Sequence, residues 1–290
     1  MNIITRIKER LLHYTWDLAY GGYDDSIIEK GLEKEDVNVV KNPYKTKWFA
    51  DPFIYEDAEQ FLQLFVEEFD KKVKRGRIAR IKIDKFTNAI VECKIILDLP
   101  THLSFPAIYR IEDKVYVHPE NSASGNSYMY EYDVNADCLV NPVLVVDKPL
   151  TDAVIRNTEE GFIMTATLAD NANGNVMSVF QAQSLIGPYM AKETVTLPND
   201  SARMAGHYIN TKNGIIRPAQ NCNGDYGKAV WFYNDDIIVG QILPWGEYDG
   251  VHTFNYYHGG FVIDLKKYDF VTLYRTKDLV KGLKSYRISD

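Results

Sequence analysis

The sequence predicts an all-β fold, a five-bladed β-propeller with a short N-terminal helical extension. Three observations carry this. Five stretches of the 290-residue chain repeat one pattern: a short strand, a polar turn and a second apolar strand. Equivalent positions in them, Asp51, Phe105, Asp152, Ala205 and His252, fall roughly 50 residues apart, which suits a blade of four short strands. Tyr and Phe are abundant, with 20 and 13 copies, and their rings suit half-buried strand faces.

Taken in chain order, Ile3, Ile7, Leu11 and Leu12 recur at helical spacing with Arg6, Lys8 and Arg10 between them. This is one short amphipathic helix, expected to pack on the propeller. A polar stretch follows Gly21-Gly22 and runs to about residue 45. Residues 1–45 are therefore read as helix and connecting segment, and 46–290 as propeller. The repeats begin at Ala50, Leu103, Leu150, Arg203 and Val251. Their turns carry hairpin chemistry, as in Glu112-Asp113-Lys114, Glu159-Glu160-Gly161, Lys212-Asn213-Gly214 and His258-Gly259-Gly260. Between the repeats, Ile78–Asp84 with Ile90–Leu97, and Ser127–Tyr132 with Pro142–Val146, read as outer strand pairs.

Composition narrows the partners. The net charge is −7, whereas a nucleic-acid binder needs a basic footprint. The basic run from Lys71 to Arg77 falls where a hairpin tip is expected. Cys93, Cys138 and Cys222 are odd in number and widely spaced, so neither a disulfide framework nor a thiolate zinc site is supported. The opening run from Met1 to Trp16 has charges every few residues. It suits neither a signal peptide nor a membrane span. A reducing cytoplasm is the expected compartment. Membrane contact by the first helix has only a small apolar face to work with.

In a propeller the first strand of each blade lines the central channel and the second runs antiparallel to it. First-strand starts and second-strand ends therefore share one face. The starts supply Asp51, His102 to Phe105, Asp152, Arg203 to Gly206, and His252-Thr253; the ends supply Glu67-Glu68, Glu120, Thr165 to Thr167, Arg217 to Gln220, and Asp264. Polar groups gathered on a concave face are costly to desolvate unless they hold a ligand or each other. Asp51, Glu120 and Asp152 are the candidate catalytic acids. His102, Arg203, Arg217, Gln220, Tyr226 and His252 are the candidate substrate-binding residues. Each has a plainer role open to it: Asp51 as a loop terminator, Glu120 as a rim ion pair, the arginines as partners of the acids, His252 as a satisfied core histidine. His118 and His207 are expected to point away from the ligand. No metal motif appears and no cofactor is expected. His102, Asp152 and His252 are the one set a ring could gather around an ion or water.

Several runs carry a resemblance: WFADPFI (Trp48 to Ile54), FVEEFD (Phe65 to Asp70), GRIARI (Gly76 to Ile81), HLSFP (His102 to Pro106), HPEN (His118 to Asn121), ARMAG (Ala202 to Gly206), RPAQNC (Arg217 to Cys222), Tyr226-Gly227 and HTFN (His252 to Asn255). Over roughly residues 46–265 they resemble the N-terminal domain of glucosamine inositolphosphorylceramide transferases and bacterial stand-alone relatives of that domain. That domain is in turn similar to the five-bladed propellers of family 43 glycoside hydrolases. The resemblance implies carbohydrate chemistry. Those hydrolases use an Asp base on the first blade, a tuning Asp on the third and a Glu acid on the fourth. Asp51 and Asp152 match the first two. The fourth-blade position holds Arg203-Met204-Ala205-Gly206 and no Glu.

The expectation is a carbohydrate-active protein, foremost a glycosyl-transferring enzyme of glycan or glycoconjugate biosynthesis. Asp51 is its base, and Arg203 and Arg217 hold an anionic donor such as a nucleotide sugar. Two alternatives stay open. One is a hydrolase using Asp51 with Glu120 as acid. The other is a non-catalytic glycan-binding propeller.

Overall fold

The computed structural model describes residues 12–270. The described residues open with β1 (Leu12–Gly22), a one-turn helix α1 (Ser26–Lys30) and β2 (Asn38–Val39). Blade one follows, with β3 (Lys47–Asp57), β4 (Phe61–Asp70), β5 (Arg75–Asp84) and β6 (Ala89–Leu97). Blade two is β7 (Ser104–Ile111), β8 (Lys114–Glu120), β9 (Ser127–Asp133) and β10 (Cys138–Val146). Blade three is β11 (Leu150–Thr158), β12 (Gly161–Leu168), β13 (Val176–Ala182) and β14 (Met190–Thr196). Blade four is β15 (Ile209–Thr211), β16 (Gly214–Asn221), β17 (Ala229–Asn234) and β18 (Ile237–Ile242). The last blade has the order β19-β20-β1-β2, with β19 (Gly250–Tyr257) and β20 (Gly260–Phe270). The fold is the expected five-bladed propeller, and both expected outer strand pairs are present.

The last blade is where structure and expectation part. β1 pairs antiparallel with β20 along its length, from Leu12 opposite Phe270 to Gly22 opposite Gly260. Residues set before the propeller thus supply its closing strands, and Leu12 begins a strand. The rest of the expected helix, residues 1–11, lies outside the described residues. In β1 Trp16, Leu18, Ala19 and Tyr20 are all buried. A strand covered on both faces loses the alternation that marks strands in sequence.

Core layers lie between successive blades. Phe53, Phe105, Val154 and Met204, from blades one to three and the start of blade four, share one cluster. Phe53 and Phe105 meet edge to face with ring centres 5.0 Å apart. Burying one such ring contributes about 1.5–3 kcal/mol. On the far side Phe232, Phe254 and Phe261 bind blade four to blade five.

One local device recurs and sets the site. Strand register shifts between Ala50 and Phe53, Ser104 and Ala107, Thr151 and Val154, and Val251 and Phe254. Each shift is a bulge near the start of an innermost strand. In three of them a non-glycine residue has positive φ: Asp51 at 50°, Phe105 at 42° and Asp152 at 43°. Each costs of order 1–3 kcal/mol. A bulge bends its strand and re-aims the side chain, and here two of the three re-aimed residues are acids.

Candidate active site in the propeller funnel

Asp51 is 3% exposed and tied to its neighbours on every side. Its Oδ2 accepts the Phe105 N–H of the next blade at 3.1 Å. Its own N–H donates to Asp264 Oδ2 at 2.9 Å. The Thr253 hydroxyl lies 3.0 Å from Asp51 Oδ1 and 2.9 Å from Asp264 Oδ2. His252 stands between the two carboxyls, with Nδ1 2.7 Å from Asp264 Oδ1 and Nε2 3.3 Å from Asp51 Oδ1. Trp16 stacks on the imidazole with centroids 4.0 Å apart. Burial would lower the His252 pKa, but Asp264 and then Asp51 overturn this and raise it. Burial pushes Asp51 up to about 6 against the pull of His252. The result is a carboxyl, an imidazole and a second carboxyl in line, a path along which a proton taken by Asp51 is stabilised.

The second group joins blades two, three and four. Arg203 Nε donates to Asp152 Oδ2 at 2.6 Å, and Nη1 donates to Asn173 Oδ1 at 2.9 Å. Arg203 Nη2 is 3.5 Å from Glu120 Oε2. Gln220 Nε2 donates to Asp152 Oδ2 at 2.5 Å and to Met204 O at 2.9 Å. Burial would raise Asp152, but Arg203 and the hydrogen bonds from Glu120 and Arg203 hold it below the usual carboxylate range. Glu120 behaves oppositely: burial, then the Asp152 charge, push it up to about 8. Two neighbouring carboxyls with pKa values driven apart give one ionised group and one acid holding its proton at neutral pH.

Aromatic rings stand beside these acids. Trp48 stacks on Phe69 at 4.7 Å, and the exposed His102 is 6.4 Å from the Phe69 ring. The Tyr226 ring lies 5.0 Å from the Arg203 guanidinium and 5.3 Å, edge on, from His252. Rings of this kind stack on the C–H faces of sugars.

Asp51, Glu120, Asp152, His102, Arg203, Gln220, Tyr226 and His252 thus fall in two linked clusters at the funnel. Arg217 does not. It lies three residues before Gln220 on β16, so the two point to opposite faces. Arg217 Nη1 donates to Ser201 O at 3.1 Å, and the guanidinium sits 4.5 Å from the Tyr233 ring centre. Arg217→Met is accordingly expected to leave ligand affinity in the funnel within about twofold while lowering the melting temperature, to be checked by titration beside thermal melts. His118 is buried and His207 half-buried, and desolvation pushes each down to about 4. His207 Nε2 lies 3.0 Å from Ile108 O, away from the funnel acids, as expected.

Two funnel acids were mapped at second-strand ends but not among the candidate site residues. Asp264 is the inner partner of His252. Glu67 is 5% exposed and pushed well above the usual range by burial and then by Asp51, Glu120, Asp264 and Asp152. Asp51, His252 and Asp264 also present ligand-type atoms within 4.8 Å of one another. Those atoms already face each other and the Thr253 hydroxyl within hydrogen-bond distance. His102, on the other hand, contacts Gly76 and Glu67, so it does not join Asp152 and His252 around one point.

Fold and site together define a five-bladed propeller with an acid–base funnel. The chain belongs to the family of the N-terminal domain of glucosamine inositolphosphorylceramide transferase 1, whose model matches residues 36–247. Glucosamine inositolphosphorylceramide transferase 1 of Oryza sativa subsp. japonica is 24% identical over 206 residues, covering 68% of this chain and 27% of that protein. The Arabidopsis thaliana protein of the same name is 26% identical over 195 residues, covering 64% and 25%. The chain spans about a quarter of the length of these relatives. Solved structures similar to it include a thermostable family-43 glycoside hydrolase, at 11% identity and TM-score 0.49 over 73% of this chain and 82% of that one. Another is an exo-β-1,3-galactanase from Phanerochaete chrysosporium, at 11% identity and TM-score 0.48 over 69% and 53%.

Proposed function

We propose that the funnel holds a sugar and that the protein is a glycosyl-transferring enzyme. Asp51 is the base that takes the proton of the acceptor hydroxyl, and Glu120 is the acid that protonates the departing oxygen. The observation that carries this is the pairing of opposite environments: a buried base backed by His252 and Asp264, and a partly buried acid held neutral beside Asp152 and Arg203. With water as acceptor the same residues perform hydrolysis.

The geometry speaks against the expected grip of two arginines on an anionic leaving group. Arg217 is turned away, and Arg203 is engaged with Asp152, Asn173 and Glu120. An acid-assisted leaving oxygen suits the site better. The plant relatives bear a transferase name, and membership of their family supports carbohydrate work here. A second reading, glycan binding without turnover, draws on the mutual hydrogen bonds that bury Asp51, Asp152 and Asp264.

The test is purified protein against p-nitrophenyl glycosides, free monosaccharides and nucleotide sugars, with binding followed by NMR and product by chromatography. Saturable binding with product release from a neutral glycoside supports the proposal. Binding without product across the panel selects the second reading. No binding of any sugar removes both.

A further inference from the structure

The seam between blades three and four is built differently from the other four. Each of those holds a buried apolar cluster of a dozen or more residues, whereas this one holds Met177, Leu197 and Ala202 with Val195 beside them. Polar side chains take the remaining places. From blade three, the Thr165 hydroxyl lies 3.2 Å from that of Tyr208, and the Arg156 guanidinium stands 5.2 Å from the Tyr208 ring centre. On blade four, Ile209 pairs with Ile216, and the same register sets Tyr208 beside Arg217. Tyr233 pairs with Arg217 from the other side, its ring centre 4.5 Å from the guanidinium. Two guanidiniums thus flank one tyrosine.

Elsewhere the fold provides for its arginines. Arg75, Arg77, Arg80 and Arg203 each pair with a carboxylate. Arg110 lacks one but donates to the Ile54 and Tyr55 carbonyls. Among the described residues, Arg156 and Arg217 have no carboxylate partner. Arg217 is 7% exposed; its Nη1 donates to Ser201 O, but its Nη2 is buried without a hydrogen-bond partner. Arg156 is half-buried, and its Nε is likewise buried and unpartnered. These are the only buried guanidinium donors left over among the described residues, and both belong to one seam.

Burying a cation without a counter-charge is costly. Water satisfies N–H groups but brings no charge. One anion answers both needs: it accepts from Arg217 Nη2 and Arg156 Nε, and the Tyr208 hydroxyl can turn toward it. It has to be small, because both nitrogens are closed off from solvent. A halide accepts from any direction and has a single charge to desolvate.

We infer that the seam between blades three and four binds a chloride-sized monovalent anion, held between Arg156 and Arg217. The site is separate from the funnel and does not depend on a sugar binding there.

The experiment is thermal melting of the full chain in sodium chloride against sodium gluconate at one low, fixed ionic strength, with sodium bromide and sodium sulfate as further arms. Chloride and bromide are expected to raise the midpoint along a saturating curve, by roughly 5–10 °C at a hundredfold excess over the dissociation constant. Arg156→Met keeps an apolar stem against Tyr208. It is expected to lose the chloride increment and, in gluconate, to melt no lower than the native chain; a merely structural arginine would lower the midpoint in both salts. Crystals of the native chain soaked in bromide are expected to show an anomalous peak within hydrogen-bond reach of Arg217 Nη2 and Arg156 Nε. Equal midpoints in chloride and gluconate overturn the inference. A chloride increment that survives in Arg156→Met puts the anion elsewhere and overturns it too. Stabilisation by sulfate alone overturns it in favour of a larger oxyanion. Where the variant does not fold, the bromide peak decides: in the seam it supports the site, and its absence there overturns it.

Discussion

Asp51→Asn is expected to lower turnover by about 10²- to 10⁴-fold, the usual worth of a positioned general base, with KM little changed. The fold should survive because the local hydrogen bonds can be rebuilt. An Asn oxygen can still accept the Phe105 N–H that Asp51 Oδ2 now accepts. The amide nitrogen then faces the Thr253 hydroxyl and His252 Nε2. The hydroxyl rotates to accept, and the imidazole gives up its Nε2 proton. What is lost is the basic lone pair and one of the two carboxylates that raise His252. Stability should fall by about 1–3 kcal/mol, the cost of weakened buried hydrogen bonds. The His252 ring should also titrate at lower pH, which NMR can follow. Turnover within a few-fold of the native chain would remove Asp51 as the base.

The residues behind this prediction differ in how visible they were. Asp51 and Asp152 were legible because a repeat exposes equivalence: the same position in the first and third units carries an acid, and the structure shows that position to be a bulge at positive φ. Arg217 was misplaced for want of strand parity. Residue 217 lies at the middle of β16 and 220 near its end, alternation puts them on opposite faces, and only Gln220 meets Asp152. The closing strand β1 gave no local signal, since its partner β20 lies at the other end of the chain and both its faces are covered. Glu67 could be placed on the funnel by its strand end.

Glu120→Gln is expected to change how stability responds to pH. Glu120 holds its proton up to about 8 in the folded chain, whereas an unfolded glutamate releases it near about 4.3. Between these values the folded chain binds a proton that the unfolded chain has lost, so stability falls as pH rises through the window. Asp51, raised to about 6, adds to the fall, as does Glu67. His252 acts in the same sense: its contribution is full below the ordinary histidine value and fades as pH climbs through its raised one. Asp152 and Asp137, both held low, oppose the trend only in acid, where protonating them costs stability. His118 and His207, each pushed down to about 4 by burial, oppose this fall below about pH 6.5, where the unfolded imidazoles bind protons that the folded ones do not, so the native melting temperature should decline mainly between about pH 6.5 and 8. Gln imitates the neutral acid: its oxygen can keep the Ser122 hydroxyl, which donates to Glu120 Oε1 at 2.9 Å, and its N–H can face Asp152. It cannot ionise. The variant should match the native protein at pH 5 and exceed it at pH 8 by a few degrees, since about 1 kcal/mol moves the midpoint by ~2–4 °C in a domain of this size. Thermal melts of the two proteins from pH 5 to 8 decide it, and parallel curves would show that Glu120 is ionised throughout and cannot be the acid.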